Sequence, residues 1–404
     1  MKRAWISIVL LTLLTGCWDQ SELTDLAFVS AVGIDFGENE KYRLTFQIIN
    51  PKNVAGTQQQ GGIQGPPVTL YEGGGDNILE GALETTQRVS RQLFFDHATL
   101  VVIGEDVARK GIFDILELFD RSPDFRTTAR VVIAKDAKAE ELLSILTPID
   151  QVPAQKIVKM IDFTPEIWGE NIKVNVSDII RSLYFPGREP LISGVSIIGD
   201  KEKGKSDSNI QSSKPSAVIS ASSLGIFKKD RLIGWTNGET TKGINWVNNN
   251  IKGTTVNVDW GDVKEAIGIT LIRTKSRLSA EIKNGIPSLK VHIDTEGNVS
   301  EVHVPIPLNS PGPLKKIDQL LNAEISKEVH QAIEYAQKKK TDILGFGEQV
   351  RYKDPKYWET IKNKWDDEIF PNVDVEVTVE AFVRRTDLKM NPYFYDLKKE
   401  KEAE

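Results

Sequence analysis

The sequence predicts an α+β protein of mixed α/β character, built as about three domains whose mixed sheets are packed by helices. Three observations lead there. Strands and helices alternate between Ala98 and Leu146, strand-like segments dominate from about Ala266, and one long amphipathic helix spans Leu314 to Lys340. Alternation of the first kind marks neighbouring parallel strands joined by crossovers. A β-rich stretch with a single long helix marks a sheet covered on one face.

At the start of the chain, Leu26 to Asp35 alternates and is rich in Val, Ile and Phe; Gly37-Glu38-Asn39-Glu40 breaks it, and Tyr42 to Ile49 alternates again, giving a hairpin. Asn53 to Pro67 has Gln58-Gln59-Gln60, Gly61-Gly62 and Pro66-Pro67, lacks periodicity, and reads as a mobile loop. Val68 to Glu72 is a short strand. Gly73-Gly74-Gly75 then reads as a flexible connection into a helix with Leu79, Leu83, Thr86, Val89 and Leu93 near one face.

Ala98 to Ile103 is a buried strand, followed by one helix from Val107 to Phe119 with Ile112, Ile115, Leu116 and Phe119 inward. Arg130 to Ala134 and Ala137 to Leu146 repeat the strand–helix pair, and Pro153 to Phe163 and Val176 to Tyr184 add two helices. Leu191 to Ile198 and Ala217 to Phe227 are strand-like, separated by a polar loop from Asp200 to Pro215. Leu232 to Trp235 and Thr254 to Val258 keep the β character.

Four strands follow: Ile267 to Thr274, Arg277 to Lys283, Leu289 to Asp294 and Val299 to Ile306. In the long helix Ile317, Leu321, Ile325, Val329, Ile333 and Ala336 recur at spacings of four or three, a stripe that must lie on a sheet. Asp354-Pro355 supplies an N-cap and an N1 proline for a second helix that sets Trp358, Ile361, Trp365 and Ile369 on one side. Alternating Val373, Val375, Val377, Val379, Ala381 and Val383 form a long half-buried strand. The expected division is 17–187 as an N-terminal α/β domain, 188–262 as a smaller β-rich domain, 263–396 as a sheet-plus-helix domain and 397–404 as a charged tail.

The 404 residues are 40% hydrophobic and 27% charged, with 30 Gly and 18 Pro, which excludes a disordered chain, a collagen-like fibre and a polytopic membrane protein. A net charge of −6 argues against a nucleic-acid partner. The single cysteine, Cys17, excludes an internal disulfide and a Cys-rich zinc site.

The position of Cys17 is informative. Lys2-Arg3, the apolar run Ala4 to Leu14 and the small residues Thr15-Gly16 are the parts of an export signal. As a helix that run spans about 16 Å, short of a bilayer core of about 30 Å. Leu14-Thr15-Gly16-Cys17 matches a bacterial lipobox, in which the thiol is acylated and the chain is cut before it. Residues 1–16 are thus expected to be a removed signal peptide and Cys17 a lipidation site at the outer face of the cell membrane. An incidental cysteine in a plain signal peptide is the alternative.

Other motifs carry less. Gly199 to Ser206 fits the letters of a P-loop, but the proline-stopped Asp207 to Pro215 offers no helix, so a solvated loop explains it and no nucleotide partner is expected. Among four histidines only His292 and His303 form a pair worth testing, on two strands joined near Glu296-Gly297 and sharing a face with Asp294 and Glu301; a wet sheet face is the preferred reading. His97 has no nucleophile placed beside it, and His330 reads as surface. Trp358 and Trp365 read as core. No catalytic residue, cofactor site or metal site is expected.

Gly16-Cys17-Trp18-Asp19, Glu22-Leu23, Leu26-Ala27-Phe28-Val29 and Ala31-Val32-Gly33-Ile34-Asp35 together resemble the start of the Ger(x)C spore-germination lipoproteins, the C subunits of germinant receptors in endospore-forming bacteria. Asp96-His97, Asp342-Ile343-Leu344-Gly345-Phe346-Gly347 and Trp358 with Trp365 extend the match along the chain. Phe382-Val383-Arg384-Arg385-Thr386-Asp387 departs from it where the family pattern has glycine after the arginine. The resemblance implies three mixed α/β domains outside the spore inner membrane, association with A-type and B-type receptor subunits, and no enzymatic activity. The alternative function is an extracytoplasmic solute-binding lipoprotein of a transporter, a class with two similar lobes. A lipid-anchored cell-wall hydrolase would need a carboxylate pair that the sequence does not single out.

Overall fold

The structure, a computed structural model, describes residues 23–54, 65–385 and 395. Cys17 with its leader, Gln58-Gln59-Gln60, Thr386-Asp387 and the segment 397–404 lie outside the described residues.

Nine strands form the first sheet: β1 (Leu26–Phe36), β2 (Tyr42–Ile49), β3 (Val68–Gly75), β4 (Gln92–Phe94), β5 (Leu100–Gly104), β6 (Arg130–Ala134), β7 (Leu191–Gly199), β8 (Ala217–Lys228) and β9 (Arg231–Thr236). Their order is β3-β2-β1-β5-β6-β7-β8-β9, with β4 on β1. The central strands β1, β5, β6 and β7 run parallel to one another, and antiparallel pairs flank them on both sides. The parallel strands are buried on both faces, which is why Leu-Val-Val-Ile in β5 reads as a continuous apolar run. Val101, Ile103, Val131 and Ile133 pack with residues of the helices Phe113–Arg121 and Val176–Tyr184. Leu100, Val102 and Val132 pack on the opposite face with Ala139–Ser144 and Pro153–Ile167.

Several local expectations need correction. The single helix expected from Val107 to Phe119 is two, Glu105–Lys110 and Phe113–Arg121, because Gly111 takes φ +138° and a β-carbon there would lie 2.5 Å from Asp230 Oδ2. The triple glycine belongs to β3 and is no flexible connection. A β-carbon on Gly73 would stand 2.2 Å from the Gly81 carbonyl, so glycine lets the helix Ile78–Thr86 lie flat on the strand. That helix buries Ile78, Gly81 and Thr85, leaving Leu79 and Leu83 exposed rather than inward. The loop 200–215 contains two short helices, Lys201–Gly204 and Ser208–Gln211, and is pinned by buried Asn209, whose amide donates to the Leu146 and Ala217 carbonyls.

The second sheet has the order β10 (Thr255–Trp260), β11 (Val263–Lys283), β12 (Ile286–Val302) and β13 (Val375–Arg385), antiparallel except for the parallel pair β12–β13. β11 is one strand of 21 residues, not two, and β12 likewise absorbs two expected strands. Bulges at Gly268/Ile269 and Leu271/Arg273 shift the alternation and simulate a break. The hairpin turns at Asn284-Gly285, both with positive φ as a type I′ turn requires, and not at Glu296-Gly297.

The helix Pro311–Lys339 covers the inner face of this sheet, and all six residues of its expected stripe are buried. The expected second helix is a series of short pieces: Pro355–Ile361, then tight and wide turns through Asn372. Residues 188–262 supply β7–β9 to the first sheet and β10 to the second, with a helix the sequence reading did not expect, Gly238–Val247, between them. A β-carbon on Gly243 would stand 2.0 Å from the Glu328 carbonyl, so this helix rides directly on Pro311–Lys339. Buried Trp246 donates to Glu328 Oε2 at 2.6 Å, and one hydrophobic cluster runs from Ala27 through Trp246 to Ala381, joining the two sheets.

Candidate functional site

The carboxyl ends of β1, β5 and β6 open onto a cleft of about 420 Å³. Clefts at this end of parallel strands are the usual binding position in open α/β sheets. Asp35, Glu105, Asp106, Asp136 and Glu141 give it an acidic lining, with Lys138 as its one base. Asp35 is buried and accepts from the Ala139 and Glu140 amides at 2.8 and 3.1 Å, at the start of the helix Ala139–Ser144. Burial outweighs those two bonds and lifts its carboxyl above the ordinary range. Gly104 makes room for it, since a β-carbon there would lie 2.4 Å from Asp35 Oδ1.

Glu105 accepts from Trp235 Nε1 at 3.0 Å, from Arg109, and from the Asp136 amide at 3.2 Å. Burial pushes its carboxyl up, but these three donors together hold it below the ordinary range. Glu141 is held down in the same way by the Lys138 amide and Lys201, against the same desolvation. Three of the five carboxylates, Asp35, Glu105 and Glu141, are therefore engaged by the protein's own donors. Among the described residues no Ser, Thr, Cys or His lines the cleft, so these offer it no activated nucleophile of those types.

A second constellation lies where the sheets meet. Asp342, fully buried, accepts at Oδ1 from the amides of Leu344, Gly345 and Phe346 at 3.2, 2.8 and 3.1 Å. Its Oδ2 accepts from the Gly347 amide at 2.6 Å and from Trp365 Nε1 at 2.8 Å. Burial raises its carboxyl to about 6 despite those five donors. Asp342 donates its own amide to Asp366 Oδ1 at 2.9 Å, and its carbonyl accepts the Glu189 amide at 2.8 Å. Glu189 lies on the segment entering β7, so one loop ties the first sheet to the C-terminal turns. Burial, then the nearby Asp366 charge, raises the Glu189 carboxyl to about 7.

Beside this joint is an exposed aromatic surface. Phe113, Tyr184, Phe185 and Tyr352 are all exposed, and the Arg351 guanidinium lies over the Phe185 and Tyr352 rings at 5.6 and 5.4 Å. Aromatic residues with Arg are the composition of protein–protein hot spots.

The residues singled out by sequence fall elsewhere. Asp200 caps its own helix, accepting from the Glu202 and Lys203 amides, so the amides a P-loop would offer a phosphate are already used. His292 and His303 do not meet: His292 lies within β12 and His303 just past its end, eleven residues or about 36 Å apart in an extended chain. His292 pairs with Asp294 and His303 with Glu301, each at 3.0 Å. His97 packs against the Phe28 and Phe94 rings, and His330 bonds the Ser326 carbonyl on an exposed helix face. Trp358 and Trp365 are buried edge-to-face at 5.5 Å, as core.

The comparisons bear on the whole chain. A family described as "spore germination protein N-terminal domain" matches residues 19–197, and one described as "spore germination B3/GerAC like, C-terminal" matches residues 222–387. The chain belongs to the GerAC-like spore germination family. Spore germination protein KC of Bacillus subtilis (strain 168) is 39% identical over 405 residues, covering 98% of this chain and 100% of that protein. Spore germination protein B3 of the same organism is 25% identical over 382 residues, covering 93% and 95% of the two chains. The crystal structure of the GerBC protein superposes with a TM-score of 0.54 at 20% identity, over 90% of this chain and 99% of that one, and has the same mixed α+β fold. The Ger(x)C resemblance read from the sequence is thus correct, and the GerAC-like family gives the chain a role in spore germination. None of these relatives is named for a catalysed reaction.

Proposed function

We propose that this chain is a lipid-anchored, non-catalytic subunit of a spore germinant receptor. It is held through Cys17 at the outer face of the cell membrane, which in the spore is the inner membrane, and acts by protein–protein coupling to A-type and B-type subunits. The observation that carries the reading is the full-length relationship to spore germination proteins. The self-engaged carboxylates of the cleft and the Arg351-centred aromatic surface support coupling over catalysis. The solute-binding alternative finds no support in two sheets of nine and four strands, which are not a pair of similar lobes.

Two acyl chains at about 0.8 kcal/mol per buried methylene hold a protein stably on a bilayer. Cys17→Ala in the producing organism is therefore expected to move the chain from the membrane to the soluble fraction and to impair germination in defined nutrients. Normal nutrient germination in that variant and in a full deletion, with related receptors removed, would overturn the proposal. A second arm isolates the coupling. Tyr184→Ala with Tyr352→Ala is expected to keep the chain on the membrane while lowering recovery of the other subunits after mild detergent extraction. Unchanged recovery would remove this surface from the proposal.

A further inference from the structure

The outer face of the second sheet carries a group of side chains apart from both constellations described above. Even-numbered residues of β12 and β13 point away from the helix Pro311–Lys339, and the parallel register sets Asp294 beside Glu380 and His292 beside Thr378. His292, Asp294 and Glu380 each offer one donor atom, and the three atoms lie within 4.8 Å of one another. We propose that these residues form a divalent transition-metal site, with Zn²⁺ as the favoured ion, that fastens β13 to β12.

The donor set fits that chemistry. One imidazole nitrogen and two carboxylate oxygens suit zinc, with donors about 2.0–2.2 Å from the ion. Donors placed around such an ion stand roughly 3–3.5 Å apart, so separations of at most 4.8 Å need shorten by less than 2 Å. His292 Nε2 is already 3.0 Å from Asp294 Oδ1. Arg277, opposite His292 on β11, holds Asp294 Oδ2 and so leaves Oδ1 directed at the imidazole. That is the outer partner a ligating carboxylate usually has. Glu380 makes no ion pair or side-chain hydrogen bond among the described residues, in contrast to Glu376, one row away, which pairs with Lys290 at 3.4 Å. All three ligands are partly or fully exposed, so water can complete the coordination shell. The edge strand β13 is held by its parallel ladder with β12, by Asn322 and Asp318 of the long helix, which accept its Ala381 and Val383 amides, and on the outer face by the Lys290–Glu376 and Glu296–Arg384 pairs; the ion would add a third outer tie between those two.

The test is equilibrium dialysis of the detergent-solubilised full chain against ZnCl₂, with thermal unfolding measured in parallel. The expected result is one Zn²⁺ per chain and a zinc-dependent rise in Tm. His292→Ala and Glu380→Gln should each weaken binding by roughly tenfold or more and abolish the Tm rise. His303→Ala, which breaks the separate His303–Glu301 pair, should leave both unchanged. Absence of saturable binding would overturn the proposal. So would binding insensitive to His292→Ala, or binding lost equally in His303→Ala. The three variants alter partly or fully exposed positions away from the core, and their zinc-free Tm values check that each has folded.

Discussion

Asp342→Ala is expected to destabilise the chain by about 4 kcal/mol, the largest effect of any single polar substitution considered for this fold. Five donors converge on that carboxylate: four consecutive amides from Leu344 to Gly347, and the Trp365 indole. Removing the acceptor leaves several of them buried without a partner, at about 1–3 kcal/mol for each that water cannot reach. The total stays below the sum because the loop relaxes, in the range seen when a buried charged network is broken. Asp342→Asn separates charge from shape. Its carbonyl oxygen can serve the Leu344, Gly345 and Phe346 amides, but its amide nitrogen then faces the Gly347 and Trp365 donors, at a cost of about 2 kcal/mol. Urea unfolding followed by tryptophan fluorescence reports both, since Trp358 and Trp365 are buried together beside the loop. Equal midpoints for wild type and Asp342→Ala would show that the joint does not depend on this residue.

The contrast between legible and hidden features is physical. The stripe from Ile317 to Ala336 repeats over six contacts and survives any local error, so the helix and the sheet beneath it were readable. The helix Ile78–Thr86 has only nine residues with apolar side chains on more than one face, and three-dimensional contact through Gly73 and Gly81 decided which face goes in. Gly238–Val247 draws half of its residues from Thr, Gly and Asn and has no apolar stripe, and is helical because Trp246 and Ile244 are buried against the long helix. The Asn284-Gly285 turn was in plain view as the strongest hairpin dipeptide, and giving weight to Glu296-Gly297 instead misplaced the two histidines.

The cleft residues were hidden for a different reason. Asp35, Glu105 and Asp136 meet only because β1 lies beside β5, and β5 beside β6, an adjacency that no local pattern encodes. Asp342 did carry a local signal. An aspartate followed by glycines at the third and fifth positions suits a loop whose amides fold back on the carboxylate. The Glu189–Asp366 partnership, by contrast, joins segments 177 positions apart and is visible only in the fold.

That partnership yields the second large effect. Glu189→Gln is expected to leave stability unchanged at pH 4 and to raise it by about 2 kcal/mol at pH 8. The Glu189 carboxyl rises from 4.5 to about 7 on folding, through burial first and the Asp366 charge second, with Asp342 adding to the same repulsion. A carboxyl raised in this way binds its proton more tightly in the folded chain. Its stabilising contribution is complete below 4.5 and is lost as the pH climbs through about 7. At about 1.4 kcal/mol per unit, this shift sets a ceiling near 3.5 kcal/mol, which partial solvent access reduces. Glutamine reproduces the protonated acid: its oxygen can accept the Lys229 amide, as Glu189 Oε2 does at 2.6 Å, and its amide can donate to Asp366. The variant should therefore reduce the slope of the pH–stability curve between pH 5 and 8, leaving the part that Glu328 and Asp342 contribute, read as urea midpoints at half-unit intervals. A slope that survives intact would move the dependence to Glu328, which burial also raises to about 7 at the Trp246 contact, and Glu328→Gln would then be the substitution that removes it.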